Sequence, residues 1–168
     1  MSSVRPEALY ENDFHAWSQM QAKELRRLAR TRPNLPLDLA HIAEEIEDLG
    51  SERRNALRSW TARVIEHLFL LEHSPAEEPR RHWISEIVTL RREIDRRLTS
   101  TLRRDLKRHL QVRYEEARSD LVKKLMLYGE ADVAGRLPRT CPFALEQVLS
   151  DYWPEAANGG KSSGLNSD

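Results

Sequence analysis

The chain has 168 residues, 39% hydrophobic and 32% charged, which suits one domain with enough apolar material for a core and a charge-rich surface. Lys+Arg and Asp+Glu balance at 27 each, so no net field draws the chain to nucleic acid or anionic lipid. Arginine supplies 22 of the bases and lysine 5; the bidentate guanidinium predicts that many of the acids meet arginines. The one cysteine, Cys141, leaves no internal disulfide and fits a reducing compartment. The N-terminal stretch MSSVRPEALYEND has no apolar run, so no signal peptide is expected. No stretch approaches the ~20 apolar residues of a membrane span. The expected location is the cytoplasm, with neither membrane nor nucleic acid as a partner.

Residues 1–9 are expected to be a flexible N-terminus. The first predicted helix runs from about Tyr10 to Arg30, with Phe14, Trp17, Gln21, Leu25 and Leu28 at one-face spacing. Asn12 or Asp13 can cap its start. Pro33 and Pro36 in TRPNLPLD break it. Asp38 is the expected N-cap of a long second helix. Its apolar series is Leu39, Ile42, Ile46, Leu49, Arg53, Leu57, Trp60, Val64, Leu68 and Leu71, in steps of three and four. Gly50 interrupts a good helix pattern at a cost of roughly 1 kcal/mol relative to Ala, yet the phase continues across it, so one long helix is expected.

SPAEEP ends that helix. A third helix takes Arg80 to Leu98, with Trp83, Ile87, Leu90, Ile94 and Leu98 inward. After a turn at Thr99 to Thr101, a fourth takes Leu102 to about Tyr128, with Leu102, Leu106, Leu110, Tyr114, Ala117, Leu121 and Leu125 inward. Gly129 stops it. A loop with Gly135, Pro138 and Pro142 leads to a short fifth helix starting near Cys141 and ending at Asp151 to Pro154. The polar tail, 156–168, is expected to be disordered. The fold expected over 10–155 is a single all-α domain: an up-and-down antiparallel helical bundle of about five helices with a long second helix.

Five blocks stand in order: YENDFHAW, HIAEEIEDLGSERRNAL, HLFLLEHSP, HWISEIVTLRREI and CPFALEQVLSDYWPE. In these the chain resembles the bacterial family catalogued as domain of unknown function 29, over roughly Tyr10 to Glu155. Its strongest motif is present as Glu44, Glu45, Ile46, Glu47, Asp48, Leu49 and Gly50. The resemblance implies an all-helical fold and a prokaryotic origin, and it implies no activity.

Four constellations carry possible chemistry. His41, Glu45 and Asp48 share one face of the second helix, with Glu44 beside Asp48. Their expected partners are arginines, from among Arg53, Arg54, Arg91 and Arg92, in a binding or structural ion-pair face formed by Glu44, Glu45, Asp48, Arg53 and Arg91. The alternative is a metal held by His41, Glu44, Glu45, Asp48 and His67, with His73 and His82 as further imidazoles. The Glu-x-x-His spacing of di-metal bundles is missing. Second, Arg104 and His109 fit the Arg-polar-x-x-x-His string of the HEPN ribonucleases, in which such a pair stabilises a scissile phosphate and moves its proton. An arginine-rich chain matches so short a string by chance. Third, Cys141 sits where a helix N-terminus can lower a thiol pKa, but no Cys-x-x-Cys or Cys-His spacing supports it. Fourth, Tyr10, Phe14, Trp17, Trp60, Trp83, Phe143, Tyr152 and Trp153 form an aromatic set that reads as core, except that Tyr152 and Trp153 can form an exposed patch.

No Gly-rich phosphate loop, Ser/His/Asp set or zinc-finger spacing is present. The function these residues support is a non-enzymatic helical module that binds a protein partner or itself, without a cofactor. The alternatives are the metal-binding bundle and the HEPN-like ribonuclease.

Overall fold

A computed structural model describes residues 6–155. The tail expected to be disordered lies outside the described residues, as does part of the N-terminal stretch 1–9. Among the described residues there are seven helices and no strand: α1 (Pro6–Asn12), α2 (Phe14–Thr31), α3 (Leu39–His73), α4 (Arg80–Asp95), α5 (Ser100–Leu127), α6 (Ala131–Arg136) and α7 (Leu145–Leu149).

The boundaries follow local chemistry. The expected first helix is two. Asp13 adopts a non-helical φ of −151°, and its carboxylate accepts from the Ala16 amide at 3.1 Å, capping α2. Asp38 caps α3 as expected: its side chain accepts from the His41 amide at 3.3 Å and its carbonyl from the Ile42 amide at 3.1 Å. Thr99 does the same for α5, through Leu102 at 3.3 Å and Arg103 at 2.8 Å. Gly129, at φ 77°, ends α5. The amides of Glu130 and Gly129 donate to the carbonyls of Leu125 and Met126 at 2.8 and 3.3 Å, a Schellman closure that the left-handed glycine permits. The loop read between Gly129 and Cys141 contains α6, and α7 starts at Leu145 rather than near Cys141.

The helices fall into two compact units, one from Met1–Arg58 with Arg97–Arg108, the other from Ser59–Arg96 with His109–Asp168. In the first unit α2 and the start of α3 run antiparallel: Phe14 faces Arg53, His15 faces Gly50 and Arg26 pairs with Glu47. The start of α5 is tied to α3 by the fork of Arg58, which donates to both carboxylate oxygens of Asp105 at 2.8 and 2.6 Å.

The first unit corrects two expected helix phases. Ile42 and Leu49 were expected inward, but they are 39% and 52% exposed, and Ala43 and Gly50 are buried in their place. On α2 the buried residues are His15, Ser18 and Ala22, while Phe14, Trp17, Gln21, Leu25 and Leu28 stay half-buried. The reason is close approach. A Cβ on Gly50 would lie 1.9 Å from Ser18 Oγ, so the two helices meet through their smallest residues. The imidazole of His15 donates through Nδ1 to the Gly50 carbonyl at 2.9 Å across the same contact.

In the second unit α4 returns antiparallel to α3, through Arg80 on the Leu71 carbonyl, His82 beside His67, and Glu86 with Arg63. The remainder of α5 runs parallel to α3, with Lys124 on Glu66 and Glu130 accepting from Ser74. Here the phases hold. Val64, Leu68, Leu71, Ile87, Ile94, Tyr114 and Leu121 are buried, and each such side chain stabilises by ~1.5–3 kcal/mol relative to exposure. Three polar residues on successive turns of α5 hold the segment after α6. Gln111 donates to the Arg139 carbonyl and accepts from the Cys141 amide. Tyr114 donates to the Pro138 carbonyl at 2.7 Å, and Arg118 donates to that of Leu137. Burial pushes the Tyr114 phenol up to about 12.

Candidate functional site

The acidic block lies on the outer side of α3. At its start, Nδ1 of His41 donates to Asp38 Oδ2 at 2.5 Å. This bond holds the Asp38 carboxyl below, and the His41 imidazole above, its ordinary value. Glu44, Glu45, Asp48 and Glu52 are all exposed. Among the described residues none of the four forms an ion pair, whereas Glu47, turned toward α2, pairs with Arg26. Ile42, Glu45, Leu49 and Glu52 follow at steps of three, four and three, which places them on one exposed stripe. No lysine or arginine occurs between Asp38 and Glu52.

The expected partners do not assemble there. Arg53 stacks its guanidinium over the Phe14 ring, 3.9 Å from the centroid. Arg91, in the second unit, donates from Nε to the Val148 carbonyl at 2.9 Å and from Nη2 to the Gln147 and Tyr152 carbonyls at 3.0 and 2.9 Å. The ring of Trp153 lies 5.1 Å from its guanidinium carbon. Those carbonyls close the end of α7, where a cation also complements the helix dipole. Burial lowers the Arg91 pKa, and Asp151 offsets part of that. Arg80 does likewise at the end of α3, on the carbonyls of Leu71 and Ser74. The guanidinium fork in this chain therefore serves main-chain carbonyls as well as carboxylates. Arg58 and Asp105, an ion pair with both side chains largely buried at 13% and 17% exposure, lie outside the acidic block; their partnership spans 47 positions and no local spacing announces it.

Among the described residues no group of three or more His, Cys, Asp and Glu side chains comes together in a way that can hold a metal ion. Of the alternative metal residues, His41, Glu44, Glu45 and Asp48 are exposed in the first unit, and His67 is buried in the second. Neither ring nitrogen of His67 has a hydrogen-bond partner, and its burial lowers its pKa. Its ring stands 6.4 Å from that of His82. Arg104 turns back on its own helix, to the Ser100 carbonyl at 3.3 Å and Thr101 Oγ1 at 3.4 Å. His109 is half-buried. Five residues apart on one helix, the two point about 140° apart, so the structure does not join them at one site. The Cys141 thiol donates to the Phe143 carbonyl at 3.3 Å, and burial raises its pKa, the reverse of thiolate activation.

The aromatics divide. Tyr10, Phe14 and Trp17 form a cluster with centroids 4.8–5.8 Å apart, and Trp83 is buried. Tyr152 meets Phe143 at 6.1 Å, and Trp153 is half-buried. Beside Trp153, an open cleft of about 450 Å³ is lined by Val88, Arg91, Arg92, Leu149 and Asp151 among others.

An all-helical chain with an acidic and apolar stripe on its longest helix defines a class of helical-bundle domain. More narrowly, the chain belongs to the family described as domain of unknown function DUF29, whose model matches residues 9–154. It is similar to the crystal structure of an α-helical protein of unknown function from Rhodospirillum rubrum ATCC 11170. The two share 28% identity, with a TM-score of 0.75, over 96% of this chain and 100% of that one. No curated protein matches the chain. No helix among the described residues is long and apolar enough to cross a membrane.

Proposed function

We infer that this chain is a protein-interaction module, not an enzyme, and that its docking face is the exposed stripe of α3 carrying Ile42, Glu45, Leu49 and Glu52. One observation carries the reading. Two large apolar side chains stand exposed at two-turn spacing, interleaved with carboxylates without ion-pair partners. Unpaired like charges on one helix face repel each other and weaken the isolated helix, and a cationic partner relieves that repulsion. Apolar anchors ringed by charge are also the usual anatomy of a recognition surface. The same reading makes the cytoplasm the working compartment, in keeping with the free thiol.

A photo-crosslinking residue placed at Leu49, in cells producing the protein, tests this. A covalent adduct to a protein is expected. It should vanish when Glu45 and Glu52 are both changed to lysine, and it should not form when the reporter sits at the exposed Lys23 of α2. No adduct from position 49, or one indifferent to the charge reversal, refutes the assignment of this face.

A further inference from the structure

Resting on that reading, we propose that the partner of the α3 stripe is a second copy of this chain, docking through the exposed face of α4. Arg81, Ile84, Val88 and Arg92 follow at steps of three, four and four, and all four are exposed. Ile84 and Val88 are 36% and 43% exposed. Trp83, Ile87, Leu90 and Ile94 occupy the opposite, buried side of α4. Neither Arg81 nor Arg92 has an ion-pair partner among the described residues. Glu86 turns away toward Arg63. Arg96 is taken by Glu93 at 3.0 Å. Asp95 and Asp151, which line the cleft beside Val88 and Arg92, are the acidic exceptions.

The two stripes match in three respects. Each carries two apolar residues and two charged ones. Each runs about 16 Å along its helix at ~1.5 Å per residue. Their free charges are opposite, Glu45, Asp48 and Glu52 on one and Arg81 and Arg92 on the other. Opposite potentials on two faces steer them together and fix which faces meet. A chain of zero net charge that leaves one acidic and one basic apolar stripe unpaired is complementary to itself, and no outside protein need be supplied.

Sedimentation equilibrium of the purified full chain tests the proposal. Wild type should show a mass above one chain at high concentration, with association weakening as salt rises. The double variants Glu45→Arg/Glu52→Arg and Arg81→Glu/Arg92→Glu should each raise the apparent Kd about tenfold or more. Far-UV circular dichroism and the melting temperature should stay at wild-type values, since all four residues are exposed and unpaired. Mixed in equal amounts, the two variants should associate again, because each supplies the charge the other lost. A strict monomer overturns the proposal, as does failure of the mixture to associate. If the Leu49 adduct of the preceding section proves to be with a different protein while the purified chain stays monomeric, self-docking is wrong and the α3 docking face stands.

Discussion

Replacing Gly50 by alanine sets two known effects against each other. On helix propensity alone the variant should be more stable by ~1 kcal/mol, because alanine gives up less backbone entropy in a helix interior. The structure predicts the opposite. The new Cβ would lie 1.9 Å from Ser18 Oγ, 2.9 Å from Ser18 Cβ and 3.3 Å from His15 Nδ1. The hydroxyl has nowhere easy to go, since Ser18 is fully buried and its Oγ donates to the His15 carbonyl at 2.9 Å. Even with the hydroxyl rotated, the Ser18 Cβ is fixed by the α2 backbone. The helices must separate, at a cost of ~1–3 kcal/mol for overpacking. The bond from His15 to the Gly50 carbonyl lengthens with them, losing ~1 kcal/mol more. Less the propensity gain, Gly50→Ala should destabilise by about 1–3 kcal/mol, which lowers the melting temperature by several degrees at roughly 2–4 °C per kcal/mol. Urea unfolding of Gly50→Ala, Ser18→Gly and the double variant measures the coupling. The double variant should be more stable than the two single losses sum to, since removing the serine side chain vacates the space the new methyl needs. A Gly50→Ala protein as stable as wild type or more so, or strict additivity, refutes the close-contact account.

Three further outcomes follow from named contacts. Asp105→Ala leaves the largely buried Arg58 fork without its carboxylate and should cost ~2–4 kcal/mol in urea unfolding; a loss below ~0.5 kcal/mol, the range of exposed pairs, would show the pair to be incidental. Arg91→Ala strips donors from the carbonyls of Gln147, Val148 and Tyr152 and should cost ~2–4 kcal/mol, with faster amide exchange over 145–153; unchanged exchange there would refute the clamp. His67→Leu tests the unpartnered imidazole: its folded pKa lies below the ordinary 6.5, so as pH falls below about 6.5 the unfolded chain binds a proton that the folded one does not. Wild type should therefore lose stability between about pH 7 and about pH 5 faster than His67→Leu, and parallel stability curves for the two would refute it.

The sequence made the second unit readable because large apolar residues do the burying there. Trp83, Ile87, Leu90 and Ile94 recur at helical spacing and lie inside. The same rule misplaced the first unit, since Ile42 and Leu49 outrank Ala43 and Gly50 on any hydrophobicity scale. Where two helices approach closely, size decides and the small residues go in. Gly50 then reads as a flaw in a helix when it is the contact point of two. The caps at Asp38 and Gly129 were legible because each depends on one residue's own chemistry. Of the candidate site, the location of the acidic block on α3 was legible, and its freedom from arginine was not. Arg91 was expected to seek carboxylates, but carbonyl acceptors exist at every residue, so a clamp built on them, as at Arg91 and Arg80, leaves no mark in the acceptor's sequence.

The strap over residues 137–141 shows what such fastening permits. Gln111, Tyr114 and Arg118 grip it by peptide oxygens and one amide, and the exposed side chains of Arg139 and Thr140 take no part in those bonds. Its lettering is therefore decoupled from its attachment. A peptide epitope or a new recognition sequence could be written across Arg139 and Thr140 without loosening the anchor, which makes this segment the natural graft site of the molecule.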